Sequence, residues 1–211
     1  MHPLPFPVVV LADHGLLGAR LIDVAVQVVA AGLPWVCLRA KGADTPSRTA
    51  WARELLRRCP GVFLSVHGDP EACAAVGAPG LHLPSGWPDV AGVRRSLPGV
   101  LLGASCHSRR ELETAARAGA DYAFLSPVFP PRSKPLRGEA LGPDRFRGMV
   151  QGLPLPVLAL GGVTPERLQE VAAAGAAGAA VLGSLLGAPE PGPRARAYRE
   201  ESLRVFVNER R

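Results

Sequence analysis

The chain has 211 residues, 47% of them hydrophobic and 20% charged, enough to bury a large core and too apolar for a disordered polymer. No apolar run reaches the ~20 residues of a membrane helix, and "MHPLPFPVVVLAD" lacks the charged region and cleavage pattern of a signal peptide. The net charge of +6 is spread over basic residues that never run beyond two, which suits a small anion and solvated surface rather than nucleic acid or a membrane.

Short apolar runs alternate with longer alanine- and arginine-rich runs. In chain order, strands are expected at Pro7–Leu11, Trp35–Arg39, Val62–Val66, Gly80–Leu83, Val100–Ser105, Asp121–Leu125, Pro156–Leu160 and Ala177–Leu182. Helices are expected between them at Gly18–Ala31, Pro46–Cys59, Pro70–Val76, Trp87–Ser96, Arg109–Ala118, Pro143–Gln151 and Pro165–Ala174, with a last one at Arg194–Asn208. Thr45-Pro46, Asp69-Pro70, Ser108 with Glu111, and Thr164-Pro165 mark helix starts, and glycines close several helix ends. Eight such units without a linker predict an α/β fold, a single (β/α)8 TIM barrel over residues 1–211, with its site at the C-terminal strand ends. An open doubly wound sheet would want GxGxxG in its first turn, and "LADHGLLG" is not that.

Cys37, Cys59, Cys73 and Cys106 show no ligand spacing, so they read as free thiols in a reducing cytoplasm. Of the 24 basic residues only Lys41 and Lys134 are lysine, and both fall on the rim of the expected barrel. His14, His67, His82 and His107 also lie at or beyond strand ends. Alternation puts Cys37, Arg39 and Lys41 on one face of the second strand, and Ser105 with His107 on one face of the fifth. Cys106 and His107 point opposite ways and make a poor nucleophile–base dyad. "LALGGVTPERL" and "AAVLGSLLG" place Gly161, Gly162, Gly183 and Ser184 at the ends of strands seven and eight, where barrels hold phosphate on backbone N–H groups.

"CLRAK", "LLGASCHSRRELETAARAGADYAFLSPVFPPRSKP" and "PVLALGGVTPERLQEVAAAGAAGAAVLGSLL" resemble segments of the thiamine phosphate synthase / thiazole tautomerase (TenI-like) superfamily, and the resemblance covers nearly the whole chain. It implies a cytoplasmic homodimeric barrel in thiamine biosynthesis that binds a thiazole phosphate. Its binding set would be Arg39, Lys41, Ser105, Ser126 and Lys134, with Gly161, Gly162, Gly183 and Ser184 on the phosphate. Lys134 sits in "PPRSKPLRG", where proline at 130, 131 and 135 restricts the loop.

The resemblance also has breaks. The synthase holds Mg²⁺ on acidic side chains, with Asn-Asp after the third strand and an aspartate in a Gly-Gln-x-Asp loop after the fourth. Here those places read His67-Gly68 and Pro84-Ser85-Gly86-Trp87, and Cys37 stands for the pyrimidine-holding glutamine. Mg²⁺ wants oxygen ligands, so no metal and no cofactor are expected. "HLPSG" resembles the tautomerase branch, whose enzyme moves a proton to aromatise a dihydrothiazole carboxylate phosphate, with Trp87 either over the ring or under the next helix. Its usual histidine in Gly-His-Val-Phe is replaced by Ser126-Pro127-Val128-Phe129, which leaves His107, then His67, as acid/base candidates. A metal-independent tautomerase is the leading expectation. A non-catalytic thiazole- or thiamine-phosphate-binding regulator and a synthase with a degenerate Mg²⁺ site are the alternatives.

Overall fold

The computed structural model describes residues 3–130 and 139–208. Its eight parallel strands are β1 (Val8–Asp13), β2 (Trp35–Arg39), β3 (Phe63–His67), β4 (Gly80–Leu83), β5 (Leu101–Cys106), β6 (Tyr122–Leu125), β7 (Val157–Leu160) and β8 (Gly178–Val181). They pair in chain order and β8 returns to β1, closing the expected barrel. Strand limits fall within two residues of those expected. The largest shift carries β1 out to Asp13, which makes its carboxylate part of a buried strand residue.

The helices are α1 (His14–Leu17), α2 (Leu21–Ala30), α3 (Thr45–Arg58), α4 (Pro70–Val76), α5 (Val90–Ser96), α6 (Arg109–Arg117), α7 (Gly142–Val150), α8 (Leu168–Ala173), α9 (Gly183–Leu186) and α10 (Pro191–Leu203). Local chemistry explains where they depart from expectation. Asp13 accepts the Leu16 N–H at 3.1 Å and starts α1 at once, and Gly18 (φ 53°) then breaks the run before α2. Asp44, not Thr45, caps α3, and Asp89 delays α5 to Val90 by taking the Gly92 N–H at 2.7 Å. The segment from Pro165 opens as a 3₁₀ turn before α8, and α9 is an added turn after β8.

Two apolar cores follow from the alternation of strand side chains. The larger fills the space between strands and helices. The smaller lies inside the barrel and includes Val9, Leu11, Trp35, Cys37, Tyr122 and Phe124. Leu4 and Phe6, just before β1, pack against that inner core and close the end where the strands begin. Gly178 lets the Pro7 backbone lie against β8, where any side chain would collide with the Pro7 carbonyl. Polar side chains collect at the opposite, C-terminal end.

Candidate active site

Pairing register places Asp13 beside Arg39 and His67 beside His82 at the barrel mouth. The Asp13 carboxylate is therefore used twice: it caps α1 and it ion-pairs with Arg39. Next along the rim, Arg48 donates to the Ala40 carbonyl at 3.1 and 3.3 Å and to Asp69 at 2.9 Å. Asp69 is buried and also caps α4 through the Ala72 N–H at 2.9 Å. One guanidinium thus ties the exit of β2 to the exit of β3. Gly68, at φ 68°, makes the turn between His67 and Asp69, and its N–H donates to the His82 carbonyl at 2.9 Å.

His67 is half-buried inside this ring of cations. Burial first, then the charges of Arg39 and Lys41, push its imidazole down to about 4, so it is neutral near pH 7. Lys41 itself is exposed. Across the mouth, the Ser105 hydroxyl lies 2.9 Å from His82 Nε2. His107 is exposed; its Nδ1 sits 2.9 Å from the Ser126 carbonyl, which accepts the ring proton and leaves the Nε2 lone pair available. The Ser126 hydroxyl is 3.4 Å from the same nitrogen. Ser126 therefore orients His107. Cys106 faces the outer core, and burial pushes its thiol up to about 12, in keeping with the two neighbours not forming a dyad.

At the ends of β7 and β8 the glycines have a structural reason. Gly161 and Gly162 adopt φ 97° and 60°, and added side chains would strike the backbone of Pro127 and Pro130. Their bareness lets the exit of β6 lie against that of β7, held by Val128 N–H to Leu160 at 2.9 Å and Phe129 N–H to Gly161 at 3.0 Å. Gly183 and Ser184 open α9, so their N–H groups precede the helical ladder. The Ser184 hydroxyl is already engaged, donating to the Val163 carbonyl at 2.7 Å, with the Tyr198 hydroxyl also 2.7 Å away. Arg167 donates to the Gly162 carbonyl at 3.0 Å and lies 4.3 Å above the Phe129 ring. Lys134 lies outside the described residues. Trp87 is partly buried and packs against the outer core.

The donor set does not suit Mg²⁺. Pro84–Trp87 contains no carboxylate, Gly68 has no side chain, and the nearest acids, Asp13 and Asp69, each serve a cap and a guanidinium.

Residues 8–185 match the family described as thiamine monophosphate synthase. The chain belongs to this family. Among its relatives, the thiamine biosynthesis bifunctional protein ThiM/ThiE of Symbiobacterium thermophilum is 41% identical over 192 residues, covering 89% of this chain but only 40% of that longer protein. The thiamine-phosphate synthase of Geobacillus thermodenitrificans is 35% identical over 86% of this chain and 87% of its own. A thiamine phosphate pyrophosphorylase structure from Pyrococcus furiosus shares the fold with TM-score 0.82, over 95% of this chain and 97% of its own, at 24% identity. Membership in the thiamine monophosphate synthase family thus agrees with the resemblance read from the sequence. Among the described residues no helix is long and apolar enough to cross a membrane.

Sequence reasoning about this family member missed five groups: Asp13, the Arg48–Asp69 pair, Tyr122, Arg167 and Tyr198. It noticed His82 only as one histidine among four. Their partners are remote in the chain, from 14 to 40 positions away for all but the nearest. One signal was available: Gly80 and Gly103 fall on inward strand positions, where bare backbone makes room for large polar neighbours.

Proposed function

We propose that this barrel binds a thiazole phosphate bearing a carboxylate and shifts a proton on it without a metal, as a thiazole tautomerase. The observation that carries the reading is His67: a neutral imidazole among Arg39, Lys41 and Arg48 stands, with Gly68, where the synthase pattern has Asn-Asp, and no acid replaces the lost aspartate. Anionic substrate would meet a cationic rim, with Arg39 and Lys41 at its carboxylate end. The N–H groups of Gly161, Gly162, Gly183 and Ser184 would hold the phosphate. His107 would take the ring C2 proton on its free Nε2. A proton returned to the exocyclic carbon would complete the aromatic ring, so protons balance and no electron acceptor is needed. His67 is too weak a base to compete and is assigned to hydrogen-bonding the ligand.

A second reading is favoured by the relatives that are named thiamine-phosphate synthases. Both readings are tested together. Dihydrothiazole carboxylate phosphate is incubated with protein and chelator, and the aromatic product is followed by absorbance. Metal-free turnover that falls ~10²–10⁴-fold in His107→Gln supports the proposal. Failure of that assay, with Mg²⁺-dependent thiamine phosphate formation from the pyrimidine pyrophosphate and thiazole phosphate, replaces it with synthase activity. Tight binding of carboxythiazole phosphate without either turnover replaces it with a regulatory binding protein.

A further inference from the structure

Inside the barrel, beneath the mouth, a line of hydrogen-bonding side chains runs through an otherwise apolar core. Trp35, Ser65, His82 and Tyr122 are all fully buried, and Ser105 ends the line at the mouth. Trp35 Nε1 is 3.0 Å from Ser65 Oγ, His82 Nδ1 is 3.1 Å from the Tyr122 hydroxyl, and His82 Nε2 is 2.9 Å from Ser105 Oγ. Ser65 and Tyr122 are neighbours, so the two halves lie side by side in the core. The line occupies room made for it. A side chain at Gly80 would strike Ser65, and one at Gly103 would strike both Tyr122 and His82. The His82 ring is stacked on Phe124, with centroids 3.8 Å apart.

An indole N–H can only donate, so Ser65 accepts from Trp35. The Tyr122 phenol is fully buried and its hydroxyl lies 3.1 Å from His82 Nδ1, so its proton goes to that nitrogen. A neutral imidazole that accepts at Nδ1 must carry its proton on Nε2, and that proton goes to Ser105. Burial holds His82 well below the ordinary histidine range, which keeps it neutral and leaves it one proton to place. Among the described residues no buried side-chain nitrogen or oxygen lacks a partner, as such a directed line requires.

We infer that Tyr122 is a positioning residue that locks His82 as the Nε2–H tautomer and so leaves the Ser105 hydroxyl proton free to donate into the mouth. Ser105 is then a hydrogen-bond donor to an anionic ligand, not a base. That last step rests on the proposed ligand site, whereas the tautomer is a property of the ligand-free protein, so the two fail separately. Nitrogen-15 correlation spectra of the histidine rings, recorded on the ligand-free protein near neutral pH, read the tautomer directly. The wild type is expected to show His82 as a single Nε2–H form. Tyr122→Phe, which removes the phenol proton from Nδ1, is expected to add an Nδ1–H population. A wild-type Nδ1–H form, or a Tyr122→Phe spectrum unchanged from wild type, overturns the inference. Should Tyr122→Phe not fold, the wild-type tautomer decides alone.

Discussion

His67 shows how one residue can record its surroundings in the stability of the whole protein. Its imidazole falls from 6.5 to about 4 on folding, through burial and the neighbouring cations. Between those two pH values the unfolded chain carries a proton there and the folded chain does not. Stability therefore rises with pH across that window, and below about 4 the full penalty remains. At 1.36 kcal/mol per pKa unit, discounted for partial exposure, the penalty is roughly 2 kcal/mol. His67→Gln removes the titration. Urea unfolding measured from pH 7 to pH 4 is expected to show a flatter stability curve for the variant, with the two curves converging toward pH 7. Parallel curves would mean that folding does not lower the pKa of this ring. The same residue bears on function, because a bound anion would offset Arg39 and Lys41 and ease protonation of His67.

At the scale of elements, the rim is organised by helix starts that double as ion pairs. Asp69 caps α4 and holds Arg48, which in turn grips the Ala40 carbonyl, so α4 and the exits of β2 and β3 form one unit. Asparagine caps a helix about as well as aspartate. Asp69→Asn is therefore expected to cost about 1 kcal/mol, the share of the ion pair. Asp69→Ala should cost about 2–3 kcal/mol, because it also loses the cap and leaves Arg48 unpaired. Chemical denaturation of the two variants separates these contributions. Equal losses would show that the cap contributes nothing. The ends of β7 and β8 use a different device. There, bare glycines accept a neighbouring loop, and the Tyr198 and Ser184 hydroxyls converge on one carbonyl.

For the whole molecule, the barrel was legible because its signals are local: eight short apolar runs alternate with helical runs, several of which carry a cap or a closing glycine. Strand ends drifted by a residue or two where a polar strand residue resembles a loop, as Asp13 does. The mouth was legible in part. Arg39, Ser105 and His107 were read toward the rim by alternation along their strands, and His67 by its place at a strand end. The buried line from Trp35 to Ser105 was not legible, since it depends on five strands meeting around an axis, and periodicity along one strand carries no record of its neighbours. Gly80 and Gly103 were its visible trace, as hydrophobic strands have no local need for glycine. A further consequence follows from the closed end of the barrel. With Leu4 and Phe6 packed beneath the inner core, Ser105 is the member of this line that is partly exposed among the described residues. The interior is a blind alley for isotope traffic. A ligand seated on Ser105 is a stopper, and carboxythiazole phosphate is expected to slow deuterium uptake at the Trp35 indole, followed by NMR. An exchange rate that does not change with ligand would reveal a second way in.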